Sequence, residues 1–232
     1  DAEATNRILN EPQYGLCSVT LPRHRKGEEF QVKNPKSRVS TVSATDNDGP
    51  SASVDSEPLP EADFLAGVTD LVERSRQQDL LVFIHGFNVS FDSAVTRTAQ
   101  LALDIPFNGA AVAYYWPTQG GVMKYSEDEP VNKASVAPFT QFLTTLRAGV
   151  PPETRIHIVV HSMGNRIVME SLNQLPVPEG DKPFANVVLC APDVGRSDFE
   201  KWAPDHRFTV AKTHRELARE AVVVRLLAGV EA

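Results

Sequence analysis

The chain has 232 residues, 41% of them hydrophobic, enough for one large core and too few for two comfortable ones. A formal net charge of −7 and an isoelectric point near 5.4 argue against a dedicated nucleic-acid or anionic-membrane surface, which needs clustered Lys and Arg. No apolar run reaches the roughly eighteen residues of a membrane-spanning helix, and Cys17 and Cys190 sit in strand-like apolar contexts that suit small buried thiols rather than a disulfide framework.

Residues 13–32 alternate through Leu16, Val19, Leu21, Phe30 and Val32, which predicts one or two early strands. The basic run Arg23-His24-Arg25-Lys26 between them reads as a solvated turn. From about 34 to 60, Ser, Asp, Pro and Thr dominate around the breaker cluster Asn47-Asp48-Gly49-Pro50. A polar loop or loosely ordered excursion is expected there, with room for an edge strand over Arg38 to Val42. Glu61 to Arg76 carries Phe64, Leu65, Val68, Leu71 and Val72 at amphipathic-helix spacing, and Phe91 to Ile105 repeats the pattern. Apolar strands are predicted at 80–84 and from Gly109 to Trp116, and a further helix at about Val136 to Arg147, where Pro138 is tolerated in the first turn. Strand and helix thus alternate as they do around a mainly parallel α/β sheet with helices on both faces. The polar segment at 117–137 leaves the carboxyl end of a strand, where substrate crevices open. Trp116, Met123 and Tyr125 there either line a pocket under a lid or anchor a surface loop.

The stretch IHIVVHSMGN at 156–165 carries the chemistry. A β-branched run ends at a serine, and helical spacing of Ile167, Ser171, Leu172 and Leu175 follows. Ser162 on such a strand-to-helix corner is the candidate nucleophile, with the N–H of Met163 beside it and Gly164 leaving room for close packing. The usual pattern is GxSxG, and Val160 stands where its first glycine would be, so a helix-capping serine is the rival reading of this motif alone. A second motif supports catalysis: LLVFIHGFN at 80–88 is a strand that stops at His85-Gly86. The N–H of Phe87 would complete an oxyanion hole with that of Met163, each donor lowering the barrier by about 3 kcal/mol in comparable sites. His85 itself is placed beside the substrate, as a loop histidine bonding backbone groups rather than one that moves protons.

VFIHGFNVSFDSAVTRTAQLA, AYYWPTQG followed by Tyr125 and Asp128, VVHSMGNRIVMESL and VVLCAPDV resemble the large bacterial α/β-hydrolase family filed as a domain of unknown function. The likeness runs from near Tyr14-Gly15, with decreasing clarity, to about residue 219. It implies an α/β-hydrolase fold and a serine ester hydrolase whose substrate is unassigned.

A serine nucleophile needs a base and a carboxylate to orient that base, in this fold in the order Ser, acid, His. Asp193 follows the strand NVVLCA and is either the acid or a helix N-cap. Glu216 is the alternative acid. A strand from Phe208 to Lys212 would put His214 and Glu216 at its active end and His206 at the opposite one, which makes His214 the candidate base. The resembling family ends in a glycine-histidine motif after a further strand, and no histidine follows His214 here. Either His214 has taken over the role, the natural end is missing, or the chain binds ligands and hydrolyses them feebly.

The absence of HExxH, CxxC and EF-hand patterns predicts no metal, and the absence of GxGxxG and GxxxxGK[ST] removes the simplest nucleotide readings, so no cofactor is expected. The expected function is a carboxylesterase- or lipase-like serine hydrolase acting through an acyl-enzyme on a small or medium ester. Its alternative is a weakened or truncated hydrolase-fold protein serving as a binding or scaffold module. The chain opens at Asp1 without a methionine, which suggests processing or trimming. A soluble bacterial protein, cytoplasmic or exported after loss of a signal, is expected, with no nucleic-acid partner and the oligomeric state open.

Overall fold

The apolar runs at 79–84, 109–114, 155–161 and 186–190 line up as parallel neighbours in a computed structural model of the chain. It describes residues 11–20, 53–105, 107–118, 124–176, 183–202, 209–211 and 221–225. In chain order the elements are β1 (Tyr14–Thr20), β2 (Ser53–Leu59), α1 (Glu61–Glu73), β3 (Asp79–Ile84), α2 (Phe91–Asp104), β4 (Gly109–Tyr114), α3 (Tyr125–Ala134), α4 (Val136–Gly149), β5 (Arg155–His161), α5 (Gly164–Gln174), β6 (Asn186–Cys190), α6 (Arg196–Trp202), β7 (Thr209–Ala211) and β8 (Ala221–Arg225).

The main sheet has the order β4-β3-β5-β6-β8-β7. Its first four strands are parallel, and every residue of β3 is buried, as expected for a strand covered on both faces. Ile84 pairs with Tyr114 on one side and Val160 on the other, while His161 pairs with Cys190. The carboxyl ends are therefore flush, and the segments beginning at His85, Tyr115, Ser162 and Ala191 all leave from one edge. Leu80, Val82, Ile84, Ile158 and Val160 join Phe139, Leu143 and Leu146 of α4 and Ile167 and Val168 of α5 in one continuous core.

Three expectations need correction. The excursion expected at 34–60 includes a strand: Ser53–Leu59 pairs antiparallel with β1 as a separate two-stranded sheet. Its sequence SVDSEPL has almost no apolar alternation, because this pairing rests on backbone hydrogen bonds and Val54 alone is deeply buried among its described side chains. The segment at 117–137 contains helix α3. Periodicity missed it because the buried positions of α3 are polar, Asp128 and Asn132, one turn apart, and because Pro130 lies inside the helix. Leu71, expected in the core, is 52% exposed. Within the mainly parallel sheet, β8 runs antiparallel to β6 and to β7. Two antiparallel pairings leave β7 running in the same direction as β6, so its carboxyl end lies at the edge that carries Ser162. His206, His214 and Glu216 themselves fall outside the described residues. Among described residues no helix is long and apolar enough to cross a membrane.

Candidate active site

Ser162 stands at the corner between β5 and α5 with a backbone φ of +49°. For a residue with a Cβ this left-handed conformation is strained, and it persists only where the surroundings enforce it. Here the Ser162 N–H donates to the Cys190 carbonyl at 3.0 Å, extending the β5–β6 ladder through the corner. The Ser162 carbonyl accepts from the Asn165 N–H at 3.0 Å, from Asn165 Nδ2 at 2.7 Å and from the Asp193 N–H at 3.3 Å. Asn165 Nδ2 also reaches the Cys190 carbonyl at 3.4 Å. From α3, Asn132 Nδ2 donates to the Met163 carbonyl at 3.1 Å. Asn132 and Asn165, both buried, thus brace the corner from two sides. Sequence reasoning passed over both, since a buried amide carries no periodic signal.

The loop after β3 closes on that corner backbone to backbone. A Cβ on Gly86 would lie 2.8 Å from the Ser162 Cβ and 2.9 Å from His161 Nδ1, and a Cβ on Gly164 would lie 2.5 Å from the His85 carbonyl oxygen. Both positions therefore admit only hydrogen. The N–H groups of Phe87 and Met163 leave from the two closely packed segments, and neither donates to a described backbone acceptor outside a helix or strand. A backbone N–H at a helix start ordinarily lacks an intrahelical acceptor, and Met163 is the N-cap of α5.

The substrate contact expected of His85 and open for Trp116 is corrected by burial, while His85 does bond backbone groups as expected. Both are fully buried, at 1% and 0% exposure. His85 Nδ1 donates to the Gly86 carbonyl at 2.7 Å, and Nε2 accepts the Trp116 N–H at 3.1 Å. The Trp116 indole N–H donates to the His85 carbonyl at 2.9 Å, and the rings stack at 5.3 Å with Tyr115 on the imidazole at 4.8 Å. Burial, helped by nearby His161 and opposed by the two backbone bonds, pushes the imidazole down to about 4. With both nitrogens engaged and no charge near neutral pH, His85 is a structural strut that ties the β3 loop to the β4 loop.

Tyr125 does sit at the surface of this edge, with its ring edge-on to Phe87 at 5.3 Å. Its hydroxyl donates to Asp193 Oδ2. Burial first, and then the bond to Asp193, push the phenol up to about 12, so it remains a donor. Arg166, on the first turn of α5, reaches the same carboxylate. Its Nε donates to the Asp193 carbonyl at 2.9 Å, Nη2 lies 3.0 Å from the Tyr125 oxygen and 3.3 Å from Asp193 Oδ2, and Nη1 pairs with Glu129 at 2.9 Å. Burial works against the guanidinium's charge, but Glu129, Asp193 and Tyr125 outweigh it and hold the pKa above its ordinary value. Asp193 is not a helix N-cap, because α6 begins only at Arg196. The structure thus brings together Ser162, Met163, Phe87, Tyr125 and Asp193. Arg166 was missed from sequence, although its position four residues after Ser162 places it one helical turn from the corner.

His157 lies at the other end of β5, bonded to Asp79 and Asn186. Among the described residues no group of three or more metal-ligating side chains occurs.

No solved structure matches the chain. An uncharacterized protein, alr1448, of Nostoc sp. (strain PCC 7120) is 24% identical over 129 residues, covering 45% of this chain, which spans 33% of that relative's length. Residues 61–219, well over half of the chain and containing every described residue of the site, match the family described as "Alpha/beta hydrolase of unknown function (DUF900)", and the chain belongs to that family.

Proposed function

We propose that the protein is a serine ester hydrolase, carboxylesterase- or lipase-like, working through an acyl-enzyme on a small or medium ester. The observation that carries this reading is the strained Ser162, held at φ +49° against the backbone of Gly86. Ser162 Oγ attacks the acyl carbon while an imidazole, assigned to His214, takes its proton. The N–H groups of Phe87 and Met163 hold the oxyanion. The alkoxide departs with the proton from the imidazole, and water, deprotonated by the same imidazole, releases the acid and restores the serine. Asp193 or Glu216 orients the imidazole and remains ionised.

A fluorophosphonate probe tests the nucleophile directly. Stoichiometric labelling of the wild type, lost in Ser162→Ala, is the expected outcome. A p-nitrophenyl ester series with short to long acyl groups, run on the wild type, Ser162→Ala and His214→Ala, tests the rest. Loss in both variants supports the assignment, and loss in Ser162→Ala alone places the base elsewhere. A wild type that neither labels nor hydrolyses rejects the enzyme in favour of a ligand-binding module.

A further inference from the structure

Two groups from different helices converge on one oxygen of Asp193: the Tyr125 hydroxyl from α3 donates to Oδ2, and Arg166 Nη2 from α5, which donates to the Tyr125 oxygen, forms an ion pair with the same Oδ2 at 3.3 Å. Arg166 Nε also holds the Asp193 carbonyl, and the Asp193 N–H is held by the Ser162 carbonyl at 3.3 Å. Both the backbone and one carboxylate oxygen are therefore fixed relative to the nucleophile's corner. No described residue donates to Oδ1, although an ionised carboxylate has acceptor sites to spare on each oxygen. An ordinary surface ion pair between Arg and Asp favours the bidentate fork, and here the guanidinium donates to a carbonyl, a phenol and Glu129 instead and meets Oδ2 as an ion pair. The charge balance matters as well. One guanidinium lies between two carboxylates, Asp193 and Glu129, so the cluster keeps a net negative charge. A cation paired to Asp193 alone would cancel the field that stabilises an imidazolium.

From this we infer that Asp193, rather than Glu216, is the carboxylate that orients the base, and that Tyr125 and Arg166 are its positioning residues, holding Oδ2 and leaving Oδ1 for the imidazole N–H. The inference rests on the serine-hydrolase reading above and deepens it. Glu129 supplies the charge balance: it occupies Arg166 Nη1 and keeps the guanidinium from neutralising Asp193.

The test is the pH dependence of kcat/KM for a short p-nitrophenyl ester, with fluorophosphonate labelling rates measured in parallel. Asp193→Asn, nearly isosteric, lowers kcat/KM by about 10³- to 10⁴-fold, as loss of an orienting carboxylate does elsewhere, and by at least about tenfold more than Glu216→Gln does. Tyr125→Phe and Arg166→Gln each lower kcat by about tenfold, the equivalent of one hydrogen bond. Arg166→Gln also moves the acidic limb of the profile upward, because removing a cation from Asp193 strengthens its hold on the imidazolium. Arg166→Lys returns the limb towards wild type. A purely structural contact would change activity or melting temperature without moving that limb. A limb unmoved in Arg166→Gln, or a greater loss in Glu216→Gln than in Asp193→Asn, overturns the assignment while labelling of the wild type leaves the serine reading standing. A wild type that does not label overturns both.

Discussion

The two ends of the sheet each carry an Arg–Asp cluster, and the clusters are built in opposite ways. At the amino edge, Arg155 on β5 grips Asp79 on the neighbouring β3 by both oxygens, at 2.7 and 2.9 Å, and His157 Nε2 takes Oδ1 as well at 3.2 Å. Asn186 on β6 closes the array on His157 Nδ1 at 2.8 Å. Both carboxylate oxygens are engaged, and three parallel strands are stitched together. At the carboxyl edge, the described residues hold the Asp193 carboxylate by one oxygen, and these partners come from helices rather than strands. Read as residue types, Asp79, His157 and Asn186 look more catalytic than anything near Ser162. The difference is one of saturation: a carboxylate with both oxygens spent braces the sheet, whereas one with an oxygen in hand can take part in a reaction.

Substitutions on the two edges separate these roles, and the largest effect is expected at the corner itself. Ser162→Ala removes ester hydrolysis by about 10³- to 10⁶-fold, measured as kcat/KM. Ser162→Gly is equally inactive yet unfolds no earlier than wild type, because glycine accepts φ +49° without strain. Next is the acid sensitivity conferred by His85. Its folded pKa of about 4 lies below the ordinary histidine value of 6.5, so between those values the unfolded chain binds the extra proton. The stabilisation is fully present above about pH 6.5 and is lost as pH falls through about 4, amounting to about 3 kcal/mol. Urea unfolding at pH 7 and pH 4.5 measures it, and His85→Asn has a flatter dependence over this window. Asp79→Ala costs about 2 kcal/mol of stability, since a largely buried acceptor shared by Arg155 and His157 is lost. It leaves kcat/KM within about twofold; a catalytic loss on the scale of Ser162→Ala would show that the amino edge is no mere brace. The smallest effect is Asn132→Ala, about 1 kcal/mol for the bond to the Met163 carbonyl, read as a lower melting temperature.

What could be read from sequence follows the same division. The β3, β5 and β6 runs are apolar because their side chains pack into the core beside the sheet, and their ends at His85-Gly86, Ser162 and the loop to Asp193 were legible from composition and order alone. The helix α3 was not, because its buried face is made of Asp128 and Asn132 and its register is interrupted by Pro130. The strand β2 was hidden for a related reason: it is specified by backbone pairing to β1 along a polar sequence. Aromatic residues misled in the other direction. Trp116 at a strand's active end suggested a pocket wall, whereas its indole N–H and its backbone N–H both serve His85. Arg166 is legible only once Tyr125 and Asp193 are known to meet, since a charged residue on a helix's first turn is ordinarily solvated.

The reciprocal glycines have a consequence for how such a protein can diversify. Gly86 faces the Ser162 segment and Gly164 faces the His85 segment, with no room for a methyl group at either contact. Neither loop can be enlarged by one mutation without displacing the other, so Ser162 and its neighbouring amides form a fixed module. Diversification would have to arise through the surrounding pieces, such as the α3 segment around Tyr125. There the contact is side chain to side chain, the exposed Tyr125 ring against Phe87, and a change of size has somewhere to go.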